Sequence, residues 1–521
     1  MALALFAAAT LIAAPSSRQD SLASQSTLQQ AAAAIEAGDL AAASRIVEAA
    51  LKAHPADPVL QNLAGVISAQ QKQFERAETH FRTAIQFAPK TPAAYENLGR
   101  LYQEHADAEP AVRAKALDVY RQLLDVDPAN VEGRFQSGLL LALERQFAAS
   151  RAALDRLPEA MRRRPQTLAI LAADLAALGD SAGARRAVDA LATHEALTEA
   201  DVLAALPALS GTPGDDIAAS MLEALDRRGL ASTRSLRALA AVHVSAGRSR
   251  EARQMLERVA AAEGPSAPLL IQLARTAIRL KDYEGALGYL AHARSLAPGS
   301  ADVHFLFGMV CVEQNLGREA YESMKKAVEL APENPLVNYA MGAIATTRHE
   351  PSESLPYFEK YVRLRREDPR GHFALGAALF YSNLFDEARP ELERATRSEE
   401  TATGGHYFLA RIARQMNDLG TARREIDRAL ELDATLGDAW AELGLIQTRS
   451  EEYAAAEQSL GKALAIDPDH YAASVNLAML YAKTKDPRKD AQMARVAALG
   501  AKRDERAQAF LRIIQAVPYG Q

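Results

Sequence analysis

The residue pattern predicts an all-α solenoid of stacked helix pairs, and three features carry that expectation. Alanine fills about a fifth of the 521 positions and aromatic residues only 6%, a composition that suits helix packed closely on helix and disfavours strand. Small and apolar residues recur at a fixed spacing of 34 residues, room for two short helices and their turns. Proline stands at the end of many of these units, where it stops one helix and restarts the chain.

Each element of a unit has a residue-level reason. In the segment 438–468, Trp440, Leu443 and Gly444 are followed by Ala456, Leu460, Ala463 and Pro468. Leu443, Gly444 and Gln447 share one stripe of a first helix. A glycine at the Gly444 position, with Ala456 and Ala463 opposite, lets a second helix come close to the first. Pro468 ends that second helix. The frame recurs as Ala422, Ile426, Ala429 and Ala434, as Phe307-Gly308, Ala320, Met324, Ala327 and Pro332, and as Leu273-Ala274, Ala286, Leu290, Ala293 and Pro298. Upstream it reads Ala64-Gly65, Ala77, Phe81, Ala84 and Pro89, then Tyr95, Leu98-Gly99, Tyr102, Ala116, Tyr120 and Pro128 with five extra residues. This pattern resembles the tetratricopeptide repeat (TPR) family, W-x2-LG-x2-Y…A-x3-F…P. About a dozen copies cover most of residues 24–500. The resemblance implies a superhelix with the first helix of each pair on the concave side. One pair cannot bury its apolar faces alone, so neighbours must stack.

The organisation read from these signals is a possible signal peptide at 1–14, a TPR array at 24–191, a degenerate repeat or hinge at 192–232, a second array at 233–500, and a capping helix with tail at 501–521. The apolar run ALALFAAATLIAA suits the core of an export signal and is too short to span a bilayer. No Lys or Arg precedes Arg18, so an alanine-rich helix end is the competing reading. Export would place the protein in the periplasm or outside the cell; without it the protein is cytoplasmic. The segment His105–Arg113 lengthens one turn, and Leu206-Pro207 to Gly214 breaks the pattern. Ala507, Phe510, Leu511 and Ile514 have the helical spacing a cap needs.

Net charge is −6, from 60 Lys+Arg and 66 Asp+Glu, which excludes a strongly basic nucleic-acid binder. A lone Cys311 excludes a disulfide framework and multi-cysteine metal sites; it is read as a buried, inert thiol. No apolar run reaches membrane-spanning length, and no nucleophile, phosphate-loop or paired-ligand motif occurs. Gly404-Gly405-His406 reads as a turn, Arg162-Arg163-Arg164 as a helix end, and Trp440 as core. No enzyme, cofactor or metal site is expected.

One feature rises above the scaffold. Phe305, Tyr339, Phe373 and Tyr407 are each 34 residues apart, and the resemblance implies that this position faces the concave groove. Helices about 8–10 Å apart would spread four such rings over about 30 Å, enough for about nine extended residues. Met309, Phe380, Tyr381, Arg411 and Arg414 lie along the same stripe, and Arg275 and Arg279 on the preceding repeat. An apolar floor edged by arginine suits a segment with hydrophobic anchors and acidic groups. The alternative is that the rings pack between adjacent repeats, in which case alanine at Tyr339 and Phe373 costs helicity rather than partner capture. Asn97 and Asn476 match the family's asparagine contexts, but the intervening repeats do not, so no asparagine ladder or carboxylate clamp is expected. The functional expectation is a non-catalytic scaffold that holds peptide segments of partner proteins. The second expectation is an accessory subunit of a bacterial envelope assembly, secretion or glycan-export complex.

Overall fold

The computed structural model describes residues 18–105, 110–209, 214–347 and 351–500. Among them every regular element is a helix. The expected signal peptide and capping helix lie outside the described residues, as does most of the extra turn around Pro110. The chain divides into two compact units, Met1–Glu263 and Gly264–Gln521. The division falls at Glu263, not within 192–232.

The second unit is the regular one. Its first helices are Ala267–Arg279, Ala301–Glu313, Pro335–Thr347, Pro369–Tyr381, Glu399–Gln415, Gly437–Arg449 and Tyr471–Thr484. Their partners are Tyr283–Leu296, Gly317–Leu330, Pro351–Leu364, Phe385–Ala395, Leu419–Leu432, Tyr453–Ile466 and Lys489–Gly500. Successive first helices touch one another, whereas each second helix packs chiefly on the first helices to either side. The first helices therefore form the inner face of this stack and the second helices its outer face.

Close approach within a pair depends on a missing Cβ. A Cβ on Gly342 would lie 2.7 Å from the Phe358 ring, and one on Gly444 would lie 2.6 Å from Leu460. The large side chain of the second helix fills the space that the glycine leaves. On the opposite side Ala286, Ala320, Ala388, Ala422 and Ala456 are fully buried.

The turn inside each pair is equally regular. Lys72, Arg145, Lys281, Asn315, Asn383, Asn417, Glu451 and Lys485 all sit in the left-handed region, with φ between 57° and 66°. The amide after each reaches back to close the helix end, as in Asp282 N to Ala277 O at 2.9 Å and Glu452 N to Gln447 O at 2.8 Å. That is a Schellman closure, which satisfies carbonyls the helix leaves open. Asp282 and Asp418 then cap the second helix by accepting from Gly285 N at 3.0 Å and Thr421 N at 2.9 Å.

The turn between pairs is held by a side chain. Gln61, Tyr95, His304, Asn338, His372 and Trp440 each donate to the carbonyl six residues earlier, on Pro55, Pro89, Pro298, Pro332, Arg366 and Ala434, at 2.7–3.1 Å. Arg134 does the same to Pro128. Trp440 is thus half-buried, with its indole N–H tied to the turn and Lys462 3.9 Å above the ring, rather than simply core.

Gly404-Gly405-His406 is not a turn but lies inside Glu399–Gln415. At the frame position of Pro298 and Pro332 stands Glu400, inside a helix that starts about a turn earlier than those of the neighbouring repeats. The glycines remain necessary, because a Cβ on Gly404 would lie 2.5 Å from the Phe373 ring. Cys311 is fully buried, and burial pushes its thiol up to about 11, which suits the inert reading.

The first unit pairs Arg18–Glu36 with Leu40–Ala53, Pro58–Gln70 with Phe74–Phe87, Pro92–His105 with Pro110–Val126, and Val131–Leu143 with Phe147–Leu154. Pro165–Ala177 then pairs with Ser181–Thr193, and Thr233–Ser245 with Ser249–Glu263. Between the last two pairs the short helix Glu199–Ala205, the 3₁₀ turn Leu206–Leu209 and the helix Gly214–Arg227 replace a regular pair. This irregular stretch is well packed: Val202, Ala205, Leu209, Met221, Leu222 and Leu225 join one core with Pro165–Ala177. That helix is apolar on nearly all sides, as a helix surrounded by others must be.

Its exception is Asp174, which is fully buried. Ser150 Oγ lies 2.8 Å from Gly138 O and 2.7 Å from Asp174 Oδ2. A serine has one proton to give, so both contacts are hydrogen bonds only when Asp174 itself carries a proton and donates to Ser150. Asp174 Oδ1 has no partner, which the neutral acid tolerates better than the anion. Burial pushes this carboxyl up to about 7, against the opposing Ser150 hydrogen bond and the nearby Arg151 charge.

Two outcomes follow from these arrangements. Replacing Glu451, a β-carbon residue held at φ 66°, as Glu451→Gly should raise stability by about 0.5–1 kcal/mol; an unchanged or lower urea midpoint would refute the strain. For Asp174 the folded carboxyl ionises near 7 and the unfolded one near 4. The folded state therefore holds the extra proton between those values, and stability falls as pH rises through that window, with the loss complete above the folded pKa. Urea unfolding of the wild type should thus weaken from pH 5 to pH 8 more than that of Asp174→Asn, and equal slopes would count against a buried neutral acid.

Candidate functional site

The inner face of the second unit carries the sequence-predicted residues, and the structure sorts them into two groups. Tyr339, Phe373, Phe380 and Met309 are buried, at 5–6% exposure. Tyr339 packs 5.7 Å from Phe358 and 4.9 Å from Tyr361 on its own pair's second helix. Phe373 and Phe380 lie 5.9 and 5.3 Å from Phe408 on the next first helix. These rings form the seams within and between repeats, so they do not offer the free groove floor expected of them. Phe305 is half-buried and shared between two neighbouring clusters.

Arginine is sorted in the same way. Arg414 turns inward and pairs with Glu442, both groups 8% exposed, while Arg449 donates to the Arg414 carbonyl at 3.1 Å. It is a structural ion pair and does not edge the groove. Arg275 and Arg279 stay exposed on Ala267–Arg279, away from the aromatic cluster.

What the structure brings together is Tyr381, Tyr407 and Arg411. Tyr381 is 39% exposed and Tyr407 is half-buried. The Arg411 guanidinium carbon lies 4.5 Å from the Phe380 ring centre, 5.4 Å from Tyr407, 5.5 Å from Phe408 and 5.7 Å from Tyr381. Four rings therefore surround one cation. Arg411 also donates to the Tyr381 hydroxyl at 3.5 Å, a long contact. Burial pushes the Tyr407 hydroxyl well above its ordinary value, so it stays a proton donor. Nearby Asp438 pairs with His470 at 3.2 Å, and that hydrogen bond holds its carboxyl below the usual range.

Sequence reading missed Phe408, which lies one residue off the 34-residue ladder yet touches Phe373, Phe380, Tyr381 and Tyr407. It also missed Asn62, whose Oδ1 accepts from Asn97 Nδ2 at 3.0 Å across adjacent repeats of the first unit; the offset of 35 positions was the available signal. Asn476 instead donates to the Ala441 carbonyl at 3.3 Å.

Family models described as tetratricopeptide repeat match residues 28–94, 243–306, 373–436 and 407–471. The chain therefore carries tetratricopeptide repeats over these stretches. No curated protein matches it. Similar solved structures include the APC/C hetero-tetramer Cut9-Hcn1, at 14% identity over 89% of this chain and 98% of that one, TM-score 0.38. Yeast Tom70 shares 18% identity over 88% of this chain and 99% of its own, TM-score 0.32. YrrB, described as a TPR protein with an unusual peptide-binding site, shares 23% over 44% of this chain and 97% of its own, TM-score 0.29. At these overlaps none of them informs the partner. Among the described residues no helix is long and apolar enough to cross a membrane, and no group of three or more His, Cys, Asp or Glu is placed to hold a metal.

The two groups of residues should separate on mutation. Phe373→Ala removes a buried ring and should cost about 3–5 kcal/mol, whereas Tyr381→Ala should change the helical melting curve little. Similar losses from both would contradict the division between seam and surface.

Proposed function

We propose that the protein is a non-catalytic interaction scaffold whose second unit holds a segment of a partner protein against its inner face. The observation that supports this reading is the concentration of solvent-reached aromatic and cationic groups at Tyr381, Tyr407 and Arg411 on adjacent first helices. Aromatic side chains with arginine are the groups most often responsible for affinity between proteins. A stack of helix pairs also presents its first helices as a continuous surface, suited to an extended or helical segment rather than a small molecule.

A photo-crosslinking amino acid placed at Tyr381 on the inner face, or at Lys325 on the outer face, tests this in native extract. The inner position should yield a discrete covalent adduct, and the outer position should not. Equal adducts from both positions, or an adduct only from Lys325, would rule the inner face out.

A further inference from the structure

We infer that the second unit carries a binding site for a small organic oxyanion, a carboxylate or a phosphate, in a cavity on its outer side at His304, Ser323 and Arg294. The site is separate from the inner-face reading above. The cavity has a volume of about 570 Å³, the size of many small-ligand pockets. It lies between the second helices Tyr283–Leu296 and Gly317–Leu330, over His304 and Phe307 of the first helix Ala301–Glu313.

The chain itself shows what group belongs at this place. In the second unit three first helices carry histidine at one frame position, His304, His372 and His406. In two of them Nδ1 meets a carboxylate of the paired second helix, Glu391 at 2.5 Å and Glu425 at 2.7 Å. In the third the corresponding residue is Ser323, 3.5 Å from His304 Nδ1. The Ser323 hydroxyl donates instead to the His304 carbonyl at 3.0 Å. Both residues are buried, at 8% and 5% exposure. The shorter serine leaves room, along this wall of the cavity, where the other two repeats hold a carboxylate.

Charge points the same way. Arg294 stands on the preceding second helix where the following repeats carry Val328, Val362, Thr396, Leu430 and Leu464. A cation has thus replaced an apolar residue beside the one histidine repeat that lacks the acid. Its guanidinium carbon lies 4.3 Å from the Phe307 ring centre, and that stacking holds it at the cavity. Lys326, paired with Glu329 at 2.9 Å, lines the cavity from the position at which Arg394 bonds Glu391 at 3.1 Å. The other charged groups of the lining are Arg318, Glu319 and Glu322, with Arg318 and Glu319 3.5 Å apart. Three cations against two acids leave a positive excess. His304 Nε2 donates to the Pro298 carbonyl at 3.0 Å, so Nδ1 serves an anion when the ring takes a second proton. Arg294 supplies charge at any ordinary pH. An oxyanion seated between Arg294 and His304 leaves the rest of the ligand against Phe307.

Saturation-transfer NMR on the full-length protein tests this with phenylacetate, phenyl phosphate and the neutral phenylacetamide. At least one of the two anions should bind with a Kd of about 1 mM or tighter, and the amide about tenfold or more weakly. The tighter anion identifies the oxyanion. The repeats themselves supply variants compatible with the fold: Ser323→Glu installs the carboxylate of the other histidine repeats, and Arg294→Val the residue of the next repeat. Each should weaken anion binding about tenfold or more while the helical melting curve keeps its midpoint. Tyr381→Ala, on the inner face, should bind the anion as wild type does. Equal binding of anions and amide, no binding of either anion at about 10 mM, or undiminished binding by either cavity variant overturns the site. None of these outcomes bears on the inner-face reading, which the cross-linking decides.

Discussion

Everything in the second unit depends on how closely two helices approach where one lacks a Cβ. Phe358 over Gly342 and Leu460 over Gly444 fill space that any side chain on the glycine would take. This contact, together with the buried alanine that faces the glycine on the second helix, sets the distance within a pair. With that distance fixed, the first helices come into contact along the inner face, and residues one repeat apart become neighbours. The pairing of Phe373 with Phe408 is possible only in that register.

Polar groups fix the turns as strictly as small residues fix the pairs. The left-handed residue after each first helix closes its open carbonyls, and a donor on the next first helix reaches back to the carbonyl six residues before it. Rigid turns on both sides leave little freedom for the inner face. That rigidity allows Arg411 to hold one position among rings drawn from two neighbouring repeats.

The period, the glycine and alanine positions and the proline stops were legible because each depends on residues within one repeat. The fate of the aromatic ladder was not, because it depends on what stands one repeat away. Tyr339 and Phe373 occupy the same frame position as Tyr407, yet the first two meet Phe358, Tyr361 and Phe408. Arg414 and Arg411 differ by one turn of helix, but Glu442 claims only Arg414. Gly404-Gly405 read as a turn because local propensity favours it; the Phe373 ring against that backbone keeps it helical. Asp174 gave no sign, since its partner Ser150 belongs to another repeat.

The donor that ties successive pairs together has a further meaning. An amide, a phenol, a guanidinium, an imidazole and an indole all perform the same task at the same frame position. What these residues share is a proton within reach of one oxygen, whereas Leu270 and Ser474 hold the same frame position without making that bond. Such a position carries almost no signature in terms of residue identity, and the tie it makes is used in some repeats and dispensed with in others. Repeats in this chain can therefore diverge beyond recognition at that site and still close in the same way.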